Sequence, residues 1–138
     1  MPMKNKYPAK RLFIISTAAL LFILALAPAS YGQECNALPN IKIKNTARDI
    51  GNGLYECIVY VEADKSTLGN IEEVKYTLHP SLPHPKQKIK TTRDRRYPFG
   101  SNTFTASEEF YINVKIEYRK GKDTYCTYRL KLFGDNQP

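Results

Sequence analysis

Two histidines and three cysteines are nearly all that this 138-residue chain offers to metal, redox or nucleophilic chemistry. No glycine-rich phosphate loop, HExxH helix or cysteine-rich zinc pattern occurs, which removes the usual nucleotide and zinc sites. No serine sits in a GxSxG elbow. No CxxC occurs, so disulfide exchange has no motif. His79 and His84 lie five apart, and a metal would need a third ligand such as Asp94. Glu72 and Glu73 are adjacent on a strand pattern and point to opposite faces, a poor catalytic pair, and Glu108 and Glu109 fare no better. No nucleophile, base and orienting group assemble from these residues. The expectation is a protein without catalysis, metal or cofactor.

Long amphipathic helices are also missing. What is present begins with a leader: Lys4, Lys6, Lys10 and Arg11, then the apolar run LFIISTAALLFILALA from Leu12 to Ala27, then Pro28 and small residues. This pattern predicts a secretory signal over 1–32, cut after Gly32. The rival reading is an uncleaved anchor over 12–29, near the minimum length for a bilayer span. Either way the rest is expected outside the cytoplasm, periplasmic or secreted. The whole chain is +8, but four of its 21 basic residues and none of its 13 acidic ones belong to the leader. The remaining +4 is too mild to argue for nucleic acid. Membrane contact is expected only if the leader stays.

The exported part reads as strands. Residues 33–40 form a tail. Ile41 and Ile43 alternate with Lys42 and Lys44, and Asp49 to Gly53 is a turn. Tyr55, Cys57, Val59 and Val61 line one face of a strand over Leu54–Glu62. Asp64 to Asn70 connects, with room for one helical turn. Ile71 to Leu78 is a strand with Val74, Tyr76 and Leu78 in phase. Lys86–Lys90 fits a solvated edge, and Phe99–Phe104 is a short strand at best because Gly100 interrupts it. Phe110, Ile112, Val114, Ile116 and Tyr118 give the clearest alternation. Cys126, Tyr128, Leu130 and Leu132 answer it across a turn at Arg119–Gly121, which predicts a hairpin. About seven to eight antiparallel strands at this spacing predict an immunoglobulin-like β-sandwich over 41–133, with a short tail over 134–138.

Cys35, Cys57 and Cys126 all fall in the exported part, so an oxidising compartment permits one disulfide. Cys57 and Cys126 both lie in strands in phase with apolar neighbours, and their pairing is the sharper expectation. Cys35 reaching either of them is the alternative, and three buried thiols the plainest one.

The strand at Ile71 runs into a loop rich in proline, IEEVKYTLHPSLPHP. Pro80, Pro83 and Pro85 stiffen it, which places His79, Ser81 and Leu82 rigidly at one end of a sheet, a common place for recognition. The simplest role for His79 is a local hydrogen bond, with Ser81 close enough to cap the turn. The basic turn Arg93, Asp94, Arg95, Arg96 reads either as solvated or as a patch for an acidic partner.

Val74, Tyr76, Leu78, His79, Pro80 and Ser81 resemble the V-x-Y-x-L-H-P-[ST]-F strand of the YEATS domain, in particular its bacterial branch. The strand Phe110–Tyr118 and the closing TYRLKLF are similar as well. The resemblance covers Ile71–Phe133 well and Leu54–Ala63 more loosely. It implies an immunoglobulin-like sandwich. In the family's nuclear members, loops at one end hold an acylated lysine between aromatic rings, and His79 and Ser81 fall on pocket-building positions. Leu82 stands where a ring is usual. Ala106 and Ser107 stand where the second loop has a glycine and a second ring, ahead of Glu108. A flat acyl amide is held by stacking between rings, so the fold is expected without that activity.

The function expected is a binding module whose surface comprises Leu78–Pro85, Arg93–Pro98 and Ala106–Glu109. Its partner would be a protein, a peptide or an envelope component. The alternative is a structural envelope module assembling through edge strands.

Overall fold

The computed structural model describes residues 32–133; the leader, with its cleavage or anchor, and the tail over 134–138 lie outside the described residues. Seven strands and one short helix follow in order: β1 (Ile41–Gly51), β2 (Leu54–Ala63), α1 (Lys65–Asn70), β3 (Ile71–Thr77), β4 (Lys86–Ile89), β5 (Phe104–Ala106), β6 (Tyr111–Tyr118) and β7 (Thr124–Arg129). They form two antiparallel sheets, β1-β2-β5 and β4-β3-β6-β7. This is the expected sandwich.

The period-two pattern does the folding. Ile41, Ile43, Cys57, Val59 and Val61 from the first sheet are buried with Val74, Tyr76, Ile112, Val114, Ile116 and Cys126 from the second. Burying an aliphatic side chain contributes about 1.5–3 kcal/mol each, which orients both sheets. At Glu72–Glu73 the β3–β6 register shifts. The shift puts Ile71 and Val74 on the same interior face despite their odd spacing.

Three local expectations need correction. The first strand is far longer than Ile41–Lys44: it pairs with β2 from Ile41↔Ala63 to Gly51↔Leu54. Its second half is polar in sequence because Asn45 and Thr46 spend their side chains on hydrogen bonds inside the fold. The hairpin turns at Gly51 and Gly53, both at positive φ, where a side chain is strained.

The short strand expected at Phe99–Phe104 begins only at Phe104. Pro98 and Ser101 still bond to Val61 and Val59 of β2. However, Phe99 takes a positive φ, and Gly100 lies so close to Tyr97 and Ile58 that a Cβ there would meet the Tyr97 carbonyl oxygen at 2.9 Å. The Tyr76 hydroxyl, deep in the core, donates to the Phe99 carbonyl at 2.8 Å and fixes this irregular run.

The tail over 33–40 is docked rather than free. The Gln33 carbonyl accepts from the Thr127 amide, Glu34 bridges to Thr127 in parallel, and Cys35–Ala37 form a 3-10 turn. That places Cys35 beside β7, and the disulfide is Cys35–Cys126. The Cys57–Cys126 pairing is therefore wrong: Cys57 sits on β2 of the opposite sheet, buried and free. Its thiol is pushed up to about 11, chiefly by burial.

The outer face of the four-stranded sheet carries a charge cluster. Glu117 takes Lys75 and Lys115, each at 2.9 Å. Hydrogen bonds from Lys75 and then Lys115 hold its carboxyl well below the ordinary range, at about 2. A carboxyl depressed on folding stabilises the protein fully above its ordinary pKa, and that stabilisation disappears as pH falls towards about 2. Denaturation midpoints of the parent chain are expected to drop between about pH 4.5 and 2, and Glu117→Gln to flatten that stretch. Identical pH profiles would show that the cluster contributes nothing.

Candidate functional site

The proline loop begins where β3 ends. Leu78 is buried as its anchor, and its amide donates to the Pro85 carbonyl at 2.7 Å, closing the loop at the base. Between these points the Leu82 amide donates to the His79 carbonyl at 3.0 Å, and His84 takes a positive φ. Few non-glycine residues tolerate that conformation, so the prolines and two backbone bonds over-determine it.

His79 makes the local contact expected of it. The Ser81 amide donates to Nδ1 at 3.2 Å, and the Ser81 hydroxyl lies 2.7 Å from the same nitrogen. Nδ1 is thus an acceptor, and the neutral ring carries its proton on Nε2. The serine–histidine contact is a turn motif between residues two apart. No carboxylate among the described residues bonds the other ring nitrogen, so the orienting member of a triad is lacking.

The second loop, between β5 and β6, comes from the other direction. Ala106 is buried at the end of β5, while Ser107 and Glu108 are exposed. Glu109 is spent on the scaffold: its Oε1 accepts from the Leu132 amide at 3.1 Å, and its Oε2 lies 3.3 Å from Arg129. The Phe110 ring stands 5.7 Å from His79 and 6.2 Å from Phe104. Its carbonyl accepts from the Leu130 amide.

Together the two loops enclose an open cleft of about 310 Å³, into which His79, Ser81, Leu82, Ala106, Ser107 and Glu108 all face, along with Thr105, Glu109 and Phe110. Six of the residues singled out in the sequence therefore share one site. The arginines do not. Arg93 donates to Asn102 at 2.9 Å, Arg96 pairs with Asp94 at 2.7 Å, and neither these nor Arg95 line the cleft. Tyr76, buried in the core, lies outside it too.

Alternation makes Phe110 the first core residue of its strand. Half-buried at the rim, it supplies the cleft's aromatic wall. Its place directly after two glutamates, one residue before β6 begins, is the available signal.

A groove of similar size, about 340 Å³, lies at the opposite ends of β3 and β6, among Leu38, Ile41, Asn70, Tyr118, Lys120 and Lys122. Among the described residues it offers amides, hydroxyls and lysines but neither histidine nor free carboxylate. The His79 cleft has the more varied chemistry and the more constrained backbone.

A family model described as prokaryotic YEATS domain matches residues 55–131, more than half of the chain. Among solved structures the chain is similar to the yeast AF-9 homolog protein Yaf9, at 23% identity, covering 70% of this chain and 73% of that one with a TM-score of 0.56. It is similar also to the Yaf9 YEATS domain bound to H3K27ac, at 21% identity, 71% and 79% coverage and a TM-score of 0.54. A third is the Yaf9 YEATS domain recognising an H3K122suc peptide, at 24% identity, 67% and 71% coverage and a TM-score of 0.54. At these identities the likeness carries the fold. No curated protein matches the chain.

Proposed function

We propose that this chain, which belongs to the prokaryotic YEATS domain family, is an exported, non-catalytic module that binds a segment of a protein or peptide in the His79 cleft. The observation that carries this is the meeting of two separate, stiffened loops around one open cleft of about 310 Å³. A loop ordered before binding loses less entropy on binding. The solved Yaf9 complexes named above are with H3K27ac and an H3K122suc peptide, so peptide recognition is within the repertoire of the fold. Export rests on the leader, and the Cys35–Cys126 bond is in keeping with an oxidising compartment.

The acyl-lysine activity is not part of this proposal. By the family resemblance, Leu82 and Ser107 stand where stacking rings would be needed, and among the described residues Phe110 is the only ring that lines the cleft besides His79.

The test replaces His79 and Ser81 together by alanine and measures partner capture from an envelope extract. Capture is expected to fall at least tenfold while circular dichroism and the melting curve stay close to those of the parent. Unchanged capture by a folded double variant would remove the cleft from consideration. It would favour the second reading, assembly through a sheet edge, for which the eleven-residue outer strand β1 is the available surface.

A further inference from the structure

Resting on that reading of the cleft, we infer that the group it takes from its partner is a primary ammonium on a flexible apolar stem, the side chain of an unmodified lysine. Three observations point the same way. First, the cleft is acidic although the chain is basic. Glu108 and Glu109 line it, and no lysine or arginine among the described residues does. Arg129, the cation recorded beside Glu109, is tied to that carboxylate.

Second, the two carboxylates are not equivalent. Glu109 already receives the Leu132 amide and Arg129. Glu108 is exposed, and no hydrogen bond or ion pair engages it among the described residues. It is therefore the acceptor left for a ligand, and an acceptor-only group is satisfied by donors.

Third, the Phe110 ring sits on the same cleft, held beside His79 and Phe104. A ring face attracts a cation through its quadrupole without needing a second ring opposite. A flat neutral amide gains most when clamped on both sides, and the flanking Leu82 and Ser107 cannot clamp it. The methylene stem of lysine packs on Leu82, while the ammonium reaches Glu108. His79, its Nδ1 occupied by Ser81, keeps Nε2–H as a donor for a backbone carbonyl of the same peptide.

The experiment uses the full chain and three labelled peptides identical except for a central lysine, acetyl-lysine or norleucine. Binding is read by fluorescence anisotropy and located by amide shifts at Ser107 and Phe110. The lysine peptide is expected to bind roughly five- to tenfold more tightly than either neutral one at low salt, as befits one partly exposed ion pair with a ring contact. The preference is expected to shrink to about twofold or less in Glu108→Gln, and to weaken as ionic strength rises.

Equal or tighter binding of acetyl-lysine or norleucine within the cleft overturns the ammonium and leaves the cleft as a binding site. A lysine preference untouched by Glu108→Gln overturns Glu108 as the acceptor of the ammonium. Binding of none of the three, or shifts confined to residues outside the cleft, overturns both.

Discussion

Replacing Cys35 and Cys126 together by alanine is expected to lower the unfolding free energy by about 4.6 kcal/mol, the chain-entropy value for a loop of this length. The two residues are 91 apart in sequence, so the bond closes a loop that holds six of the seven described strands. Urea titration of both proteins measures the difference. A loss under about 1 kcal/mol would mean that hydrogen bonds and packing alone seat Gln33–Leu38, and that the bond adds little.

The pairing itself has an independent check. Denatured without reductant, the chain is expected to show one reactive thiol, that of Cys57, and after reduction three. Folded, it is expected to show none, because Cys57 is buried and its thiol raised to about 11. Three thiols before reduction, or a single label found on Cys35 or Cys126 by peptide mapping, would contradict the assignment.

Asn45→Ala is expected to cost about 2–4 kcal/mol, a large effect for a side chain that is only half-buried. Its Oδ1 accepts from the Tyr128 hydroxyl at 2.6 Å and from the Lys131 amide at 3.0 Å. Its Nδ2 donates to the carbonyls of Lys131 and Thr46, each at 2.9 Å. One amide thus joins β1 of the first sheet to β7 and the segment after it in the second. Alanine leaves the buried Tyr128 hydroxyl, whose pKa burial already pushes up to about 12, without this partner. Asn45→Asp keeps the two acceptor contacts and loses the two donor contacts, so an intermediate loss is expected. Equal stability of all three proteins would show that water replaces the amide at no cost.

Asn45 also shows where sequence reasoning stopped. Strands with one apolar face were legible because burial enforces period two: β2, β3 and β6 lie where alternation placed them, within a residue, while β7 stops at Arg129, three residues short of Leu132. The second half of β1 was not legible, since Asn45, Thr46 and Arg48 look like loop residues. Their role depends on partners 86, 12 and 8 residues away, which no local window contains. The same reason explains the cysteines. Cys57 and Cys126 share an apolar phase, but phase says which face a residue takes and not which sheet it belongs to. Cys35 has no phase at all, and its position comes from backbone bonds to Thr127.

At the cleft, prolines and the histidine announced the first loop, and the resemblance to a known family supplied the second. The arginine turn lies off the cleft, and charge alone does not reveal that Asp94 and Asn102 are the partners of Arg96 and Arg93.

The position of the disulfide has a mechanical consequence. Every strand from β1 to β6 lies between its two cysteines, and Cys126 is the third residue of β7. A pull on the chain upstream of Gln33 and downstream of Phe133 would run through one sulfur–sulfur link and the last few residues. Six of the seven strands, and all of β7 before Cys126, would be left outside the line of tension.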